Sequence, residues 1–169
     1  MKVACLLIFS TFFRFDASSD AKVTSSTAQP ADRILIEKGI RKLTLYRGEM
    51  AMRSYRVALS GKSTGKKECQ GDQRTPEGRY VIDGRNKNSP YHWSLRVSYP
   101  NSADRERARQ LGCKPGGDIM IHGLPNGFAS IGKFHTDHDW TLGCIAVTNQ
   151  EIEEIWNLVP NGTLVIIKP

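Results

Sequence analysis

Two residues that could form a nucleophile–base pair stand at the ends of two short apolar runs. His122 follows the run Ile119–Ile121, and Cys144 precedes the run Ile145–Val147. Such runs predict strands, and a cysteine nucleophile needs an imidazole within hydrogen-bond reach, even one distant in sequence. Each residue also has a glycine neighbour that permits close backbone approach beside the thiol: Gly123 and Gly143. The sequence therefore predicts a Cys144–His122 pair at the mouth of two strands, with an inert buried pair as the alternative.

The pattern His-Gly, a loop, then Thr-x-Gly-Cys resembles the signature of the YkuD family of L,D-transpeptidase catalytic domains. The resemblance covers residues 33–168 and includes further blocks in the same order: Lys-Leu-Thr-Leu-Tyr (42–46), Gly-Asp-Gln-Arg-Thr-Pro-Glu-Gly-Arg-Tyr (71–80), Ser-Tyr-Pro-Asn (98–101) and Pro-Gly-Gly-Asp-Ile-Met-Ile-His-Gly (115–123). It implies a mainly β, β-sandwich/barrel-like fold with two short helices. It also implies an enzyme that builds cell-wall cross-links through a Cys-His pair, with no cofactor and no metal.

The same resemblance assigns roles to five residues. Cys144 is the nucleophile, His122 is its base, and the backbone carbonyl of Gly123 orients the imidazole. Backbone N–H groups around Gly143 and Cys144 could hold the oxyanion of a tetrahedral intermediate. Thr141 matches the family's Ser/Thr three residues before the cysteine, where it braces the turn or contacts substrate.

Three further residues are predicted to lie near the substrate: Tyr91, His92 and His135. The resemblance places the first two beside the cleft, with ordinary loop residues as the alternative. His135 belongs to a polar segment that also contains Asp137, His138 and Asp139. These side chains could form a zinc site with the Cys-His pair, since His and Cys are good zinc ligands. Because their spacing matches no recognisable ligand pattern, we expect instead a hydrophilic loop that lines the cleft, with one residue touching substrate.

The chain departs from the family pattern at two positions beside the thiol. Leu142 stands where the family commonly has histidine, and Ala146 stands where it commonly has arginine. The first change removes a polar wall group, and the second removes an anchor for a substrate carboxylate. The stretch from Thr141 to Asn149 resembles the YafK-type branch of the family, some members of which cleave links to peptidoglycan rather than form them.

The N-terminus predicts export to the periplasm or cell envelope. Lys2, the short apolar stretch Val3–Phe13 and the small residues Ser19–Ala21 are typical of a signal peptide over residues 1–21. The apolar stretch is too short to span a bilayer and is ended by Arg14. We therefore expect no stable membrane insertion after cleavage, with an uncleaved membrane anchor as the alternative.

The rest of the chain predicts a flexible leader, residues 22–32, and one L,D-transpeptidase-like catalytic domain, residues 33–169. Cleavage leaves the net charge of +7 unchanged, because residues 1–21 contain as many basic as acidic side chains. A basic exported domain suits an anionic envelope polymer, although charge alone would equally suit nucleic acid or a lipid surface. Because the sequence has no zinc-finger or aromatic RNA-binding signature, we expect no nucleic acid partner.

The sequence leaves the pairing of the cysteines open. When Cys5 is removed with the signal peptide, an odd number remains: Cys69, Cys113 and Cys144. An exported protein with an odd number has at least one free or intermolecular thiol, and we expect Cys144 to be the free one. A Cys69–Cys113 disulfide and two further free thiols are equal alternatives, because spacing cannot show that the two residues meet.

Periodicity predicts six further strands and two helices. The strands are predicted over residues 34–36, 43–46, 53–59, 80–82, 95–99 and 164–167, with a long loop at 60–78 and a turn-rich loop at 86–92. The first helix is predicted over residues 102–111, capped by Asn101 or Ser102, with a face of Ala103, Arg107 and Leu111 and a solvated charged face. The second follows the capping box of Thr148 and Glu151 and presents an apolar stripe: Ile152, Ile155, Trp156 and Val159.

These features together predict an exported cysteine acyltransferase that acts on peptidoglycan stem peptides, for cell-wall cross-linking or remodelling. A thioester at Cys144 would pass its acyl group to an amine, giving a cross-link or the attachment of a wall protein, or to water. The hydrolytic alternatives are an L,D-carboxypeptidase and a peptidoglycan–protein amidase. The alternative from another class is a non-catalytic wall-binding module, for which Cys144→Ser would function as well as the wild type.

Overall fold

The structure is a computed structural model that describes residues 29–169. The predicted signal peptide and most of the predicted leader lie outside the described residues. The end of the leader is described: Ala31 is buried and its N–H donates to the carbonyl of Leu158 at 2.8 Å. The N–H of Asp32 donates to the carbonyl of Tyr46 at 2.9 Å. The folded part therefore begins before Arg33, the first residue of the predicted domain.

Eight strands form one sheet, which confirms the mainly β fold. They are β1 Arg33–Glu37, β2 Lys42–Arg47, β3 Met50–Arg56, β4 Gly78–Ser89, β5 His92–Val97, β6 Met120–His122, β7 Ile145–Ala146 and β8 Leu164–Lys168. Their order in the sheet is β3-β2-β1-β8-β4-β5-β6-β7. The pairs β1–β8 and β6–β7 are parallel, and the other pairs are antiparallel.

The sheet curls so that its two ends meet, as the barrel-like expectation requires. The long strand β4 pairs with β8 over Gly78–Val81 and with β5 over the rest of its length. The chain that leaves β3, at one end of the sheet, then reaches β7 at the other end. There Ala58 and Ala146 exchange two backbone hydrogen bonds of 3.0 and 2.9 Å. This contact fixes the strand that follows Cys144.

Alternate residues of the strands fill the core, as the period of two in a strand requires. On β1 and β8 the buried side chains are Ile34, Ile36, Val165 and Ile167. The helix α2, Asn149–Leu158, covers the sheet with the stripe that its sequence predicts: Ile152, Ile155 and Val159 are buried, and Trp156 is half-buried. Leu158, outside the predicted stripe, is also buried. Thr148 caps this helix and forms the predicted capping box with Glu151.

The helix α1, Ser102–Gln110, is capped by Asn101 as predicted, but its buried face is different. Leu111 is 51% exposed, and the buried residues are Asp104 and Ala108. The predicted solvation of Asp104 is therefore wrong. One oxygen of its carboxylate, Oδ2, accepts the hydroxyl of Tyr80 at 2.9 Å and the N–H of Asn101 at 3.1 Å. The other oxygen, Oδ1, lies 3.1 Å from the ammonium of Lys66, so an ion pair compensates the burial of the charge.

Three segments differ from the sequence expectation. The predicted strand 53–59 lies three residues further along the chain than β3, because the pairing with β2 ends at Arg56 and the chain then turns toward β7. The predicted loop 86–92 is wrong, since β4 continues to Ser89 and pairs with β5 across a tight turn. Two short 3₁₀ turns, separated by a kink at Gly132, lie within Ala129–Asp137 and occupy most of the stretch before the nucleophile that was expected to be a loop.

The long loop between β3 and β4 is anchored at several points. Lys38 is buried, and its ammonium donates to the carbonyls of Gly65 at 2.7 Å and Thr75 at 3.2 Å and to the carboxylate of Glu77 at 2.7 Å. A Cys69–Cys113 disulfide joins the same loop to the segment before β6 and leaves Cys144 as the free cysteine of residues 29–169. In that part of the chain, no helix has the length and apolar character to cross a membrane.

Candidate active site

The parallel pairing of β6 and β7 sets the relative positions of His122 and Cys144. In its register, His122 lies opposite Ala146. Side chains two residues apart on an extended chain point to the same side, so Cys144 lies on the same side as Ala146 and His122. The Ala58–Ala146 hydrogen bonds hold β7 from its other edge. The register therefore places His122 in β6 beside the strand that directly follows Cys144.

His122 is buried, and its hydrogen bond defines its tautomer. Its Nδ1 lies 2.7 Å from the backbone carbonyl of Gly123, which can only accept, so Nδ1 carries the proton and Nε2 is left as an acceptor. Burial lowers the pKa of His122 to about 4, which outweighs the opposite effect of the Gly123 carbonyl, while His135 adds to the lowering. The imidazole is thus neutral at pH 7. The rings of Tyr91 and Trp140 flank it, with centroids at 4.5 and 5.8 Å.

Gly123 has no room for a side chain. A Cβ at this position would lie 2.7 Å from Oδ1 of Asn149, 3.1 Å from a methyl group of Ile152 and 3.1 Å from the carbonyl of Tyr91. Oδ1 of Asn149 also accepts the N–H of Leu124 at 2.8 Å, so it cannot move without losing a hydrogen bond. The absence of a Cβ lets the chain pass close to α2 while its carbonyl faces the histidine.

Cys144 directs its thiol toward the segment before β6. Its Sγ donates to the carbonyl of Asp118 at 3.4 Å, and no hydrogen bond joins it to His122 in the described part of the chain. Burial raises the pKa of the Cys144 thiol; the N–H of Met120 opposes this shift, the charge of Asp118 adds to it, and that of Lys67 opposes it. The thiol and the imidazole are therefore both neutral in this state.

Thr141 and Gly143 shape the turn that presents the thiol. The hydroxyl of Thr141 donates to the carbonyl of Cys144 at 2.8 Å and accepts the N–H of Gly143 at 3.3 Å. Gly143 has φ +130°, and a Cβ there would lie 2.8 Å from the carbonyl of Arg74. Only glycine adopts this backbone conformation without strain, because it has no Cβ. The N–H of Gly143 is engaged by Thr141, so the donor that remains beside the sulfur is the N–H of Cys144.

One cleft is lined by Cys144, and a second is lined by Trp140, whose ring contacts the imidazole of His122. The first, of ≈ 420 Å³, contains Cys144, Leu142 and Asp118 and is walled by the loop that holds Lys67. Leu142 is 74% exposed there, so the residue at the family's histidine position presents an apolar side chain to the cleft. The second, of ≈ 340 Å³, lies beyond the imidazole and is mostly apolar. Its lining includes Trp140, His135, Phe128 and Ile131, with Leu124, Pro125, Phe134 and His138.

The other predicted site residues are divided between these surroundings. Tyr91 contacts the imidazole, and His135 lines the second cleft, where it is buried and neither ring nitrogen has a hydrogen-bond partner among residues 29–169. Burial lowers the pKa of His135. His92 points elsewhere: its Nε2 lies 2.6 Å from the carboxylate of Glu153, and its ring stacks on Trp93. The structure does not bring His92 to the clefts.

Asp139 serves the fold rather than the cleft. Its carboxylate accepts the guanidinium of Arg41 at 2.9 and 2.5 Å and the N–H of Leu59 at 2.9 Å, which fixes the end of the segment before Thr141. Within residues 29–169, no three His, Cys, Asp or Glu side chains are grouped so that they could hold a metal ion. The sequence reasoning missed Lys67 and Asp118, because nothing in their spacing separates them from other loop residues.

Comparison with known proteins gives this site its context. Residues 31–167 match YkuD, the L,D-transpeptidase catalytic domain. YafK of Escherichia coli (strain K12), assigned by name to the L,D-transpeptidases, is 33% identical over 143 residues, which cover 80% of this chain and 50% of YafK. The same figures hold for YafK of Escherichia coli O157:H7. The chain thus spans about half the length of the curated relatives it matches.

Solved structures share the fold at lower identity. The helical cell shape determining protein Pgp2 from Campylobacter jejuni aligns with a TM-score of 0.61 at 24% identity, over 83% of this chain and 48% of Pgp2. An L,D-transpeptidase from Mycobacterium smegmatis aligns with a TM-score of 0.54 at 12% identity, over 82% of this chain and 59% of that protein. Because the family match extends over nearly all of the described residues, the chain belongs to the YkuD family of L,D-transpeptidase catalytic domains.

Proposed function

We propose that this domain is an exported cysteine acyltransferase that acts on peptidoglycan stem peptides, with Cys144 as nucleophile and His122 as base. One observation carries the proposal. In a domain of this family, β6 carries His122 next to the strand that follows Cys144, and the Gly123 carbonyl leaves Nε2 of His122 as a proton acceptor. This is the arrangement that thiol activation by a neighbouring base requires.

The acylation step follows from the two neutral groups. The thiol of Cys144 turns from the Asp118 carbonyl toward Nε2 of His122 and transfers its proton as Sγ attacks the carbonyl carbon between an L-centre and a D-centre. The C–N bond of the tetrahedral intermediate then breaks. The leaving amine takes the proton back from His122, and the acyl group stays on sulfur as a thioester.

The oxyanion of the intermediate needs donors that are free before substrate binds. The N–H of Gly143 already donates to Thr141. We therefore assign the oxyanion to the N–H of Cys144, with Thr141 as a brace that holds the turn through the Cys144 carbonyl. Tyr91 and Trp140 flank the imidazole and keep its orientation.

Deacylation repeats these steps with a different nucleophile. An amine that attacks the thioester gives a cross-link or an attached wall protein, and water gives hydrolysis; in both cases His122 accepts the proton of the nucleophile and returns it to sulfur. The first cleft opens at the thiol, so we expect it to hold the donor peptide. The acceptor would then approach from the second cleft, on the imidazole side. The identity of the acceptor decides between transpeptidase and hydrolase.

Two observations support export. The Cys69–Cys113 disulfide is typical of proteins that mature in an oxidising compartment, and the net charge of +7 suits an anionic wall polymer. Both agree with the signal peptide predicted for residues 1–21. Fractionation of cells that express the full chain tests this part: the processed protein should appear in the periplasmic or envelope fraction, and a cytosolic, unprocessed protein would refute it.

Intact-mass spectrometry of the protein with a tetrapeptide-stem muropeptide tests the reaction. We expect a transient acyl adduct on the wild type and none on Cys144→Ala, with product analysis separating linked from hydrolysed muropeptides. If the wild type is folded and its thiol titrates as free, yet neither adduct nor product forms, this substrate is wrong. A non-catalytic wall-binding module would then remain, and Cys144→Ser should bind muropeptide as well as the wild type.

A further inference from the structure

The cleft beside the thiol contains one buried cation. Lys67 has a side chain that is 5% exposed, and it lines the same ≈ 420 Å³ cleft as Cys144. Among the described residues that line this cleft, it is the only lysine, arginine or histidine. Ala146, on the strand that follows the thiol, carries no charge. The positive charge next to the reacting sulfur therefore comes from a different part of the chain.

The ammonium of Lys67 is fixed in place but not saturated. It donates to the carboxylate of Asp72 at 2.7 Å and to the carbonyl of Cys69 at 3.1 Å. An ammonium has three donors, so one N–H has no acceptor within the described residues. Because Cys69 is bonded to Cys113, the disulfide holds the loop that carries these acceptors.

Asp72 is itself held by the backbone around it. Its carboxylate accepts the N–H groups of Glu68 at 2.7 Å, Cys69 at 3.1 Å and Arg74 at 3.0 Å. Burial acts to raise the pKa of Asp72, but Lys67 and these N–H groups outweigh it and lower the pKa. The carboxylate thus stays ionised, and its charge is shared among four donors. The Lys67 ammonium is therefore only partly neutralised by Asp72 and can attract a second anion.

We propose that Lys67 binds a carboxylate of the donor stem peptide, an inference that rests on the proposed function. A carboxylate that enters this cleft meets Lys67 on one wall and the exposed carboxyl group of Asp118 on another, so it is drawn to Lys67 and repelled from Asp118. Such a contact orients the peptide so that a neighbouring carbonyl carbon faces Cys144. Two carboxylates of a stem peptide qualify: the C-terminal one of its last D-residue, and the side-chain one of a diamino diacid.

Amidated substrates identify the carboxylate and test its partner. Muropeptides are prepared with both carboxylates free, with only the C-terminal one amidated, and with only the side-chain one amidated. We expect one of the two amides to lower kcat/KM of the wild type on the order of 10- to 100-fold, as the loss of a charge-assisted hydrogen bond implies. Lys67→Met should show the same loss on the free acid and no further loss on that amide.

Two variants separate binding from support of the loop. Lys66→Met removes a neighbouring ion pair, Lys66 to Asp104 at 3.1 Å, from outside the cleft, and should keep the acid-over-amide preference of the wild type. Lys67→Arg should restore part of the preference. A structural role for Lys67 would instead lower kcat/KM equally for all three substrates.

The outcomes are distinct from those that bear on the proposed function. A wild type that turns over the free acid and both amides at equal rates overturns the assignment of Lys67, even if Lys67→Met fails to fold. A preference that persists in folded Lys67→Met overturns it as well. Absence of turnover on every substrate, with a folded protein and a free thiol, contradicts the proposed function itself.

Discussion

Gly123→Ala is the change whose effect can be worked out most directly from the structure. The added methyl group would lie 2.7 Å from Oδ1 of Asn149 and 3.1 Å from Ile152 and from the carbonyl of Tyr91. Two of these three neighbours are polar atoms held in place, one in backbone and one in a hydrogen bond to Leu124. The chain must therefore shift away from α2.

The magnitude follows from two contributions. Forcing a methyl group into a packed site costs about 1–3 kcal/mol. Breaking the hydrogen bond from Leu124 to Asn149 adds about 1 kcal/mol. We expect Gly123→Ala to lose about 2–4 kcal/mol of unfolding free energy, a fall in Tm of roughly 8–16 °C for a domain of this size. Because the Gly123 carbonyl orients His122, the acylation rate should also fall, on the order of 100-fold for a misplacement near 1 Å.

Thermal unfolding by circular dichroism and the acylation rate by mass spectrometry measure the two effects. The matched control is Gly39→Ala, where the nearest atom to a new Cβ is the carbonyl oxygen of Pro169 at an ordinary 3.7 Å. It should keep the wild-type rate and change the unfolding free energy by less than about 1 kcal/mol. If Gly123→Ala unfolds at the same temperature as Gly39→Ala and acylates normally, the close packing against α2 and the role of the carbonyl are both wrong.

Three further predictions concern the thiol, its brace and the disulfide. Burial raises the pKa of Cys144 and lowers that of His122 to about 4, so both groups are neutral at pH 7. Alkylation of Cys144 by iodoacetamide should therefore be slow at pH 7, and its rate should increase as the pH rises above the ordinary thiol pKa of about 8.5. A constant rate from pH 5 to 8 would instead indicate a thiolate–imidazolium pair. Thr141→Val should lower the acylation rate and cost about 1–2 kcal/mol of unfolding free energy, whereas Thr141→Ser should behave as the wild type. Replacing Cys69 and Cys113 together by serine should cost roughly 2–4 kcal/mol in urea unfolding, as expected for a disulfide that spans 44 residues, and an unchanged midpoint would contradict the bond.

Local patterns determined several elements of this protein. Thr148 and Glu151 form the capping box that their spacing predicts, and the stripe of α2 follows from isoleucines three residues apart. The strands before His122 and after Cys144 follow from short apolar runs with glycine beside them. In each case the interacting residues are close in the chain or repeat with the period of one element, so the sequence contains the whole interaction.

Pairing between distant segments could not be predicted in the same way. Residues 86–89 look like a turn because asparagine and lysine disfavour strands, yet they continue β4 because β5 supplies a partner. Asp104 looks like a surface charge, but the sheet covers it and supplies the Tyr80 hydroxyl. The intrinsic conformational preference of one residue contributes less free energy than the hydrogen bonds that a neighbouring strand provides.

In the candidate site, too, some features follow from local sequence patterns and others depend on contacts between distant segments. His122 and Cys144 could be predicted as a pair from the sequence because the strands next to them carry glycine and apolar signals of their own. The Cys69–Cys113 bond, the flanking of His122 by Tyr91 and Trp140, and the position of Lys67 in the cleft were decided only by the tertiary structure. Each depends on loops that have no periodic pattern and that meet only after the sheet has curled and closed through Ala58.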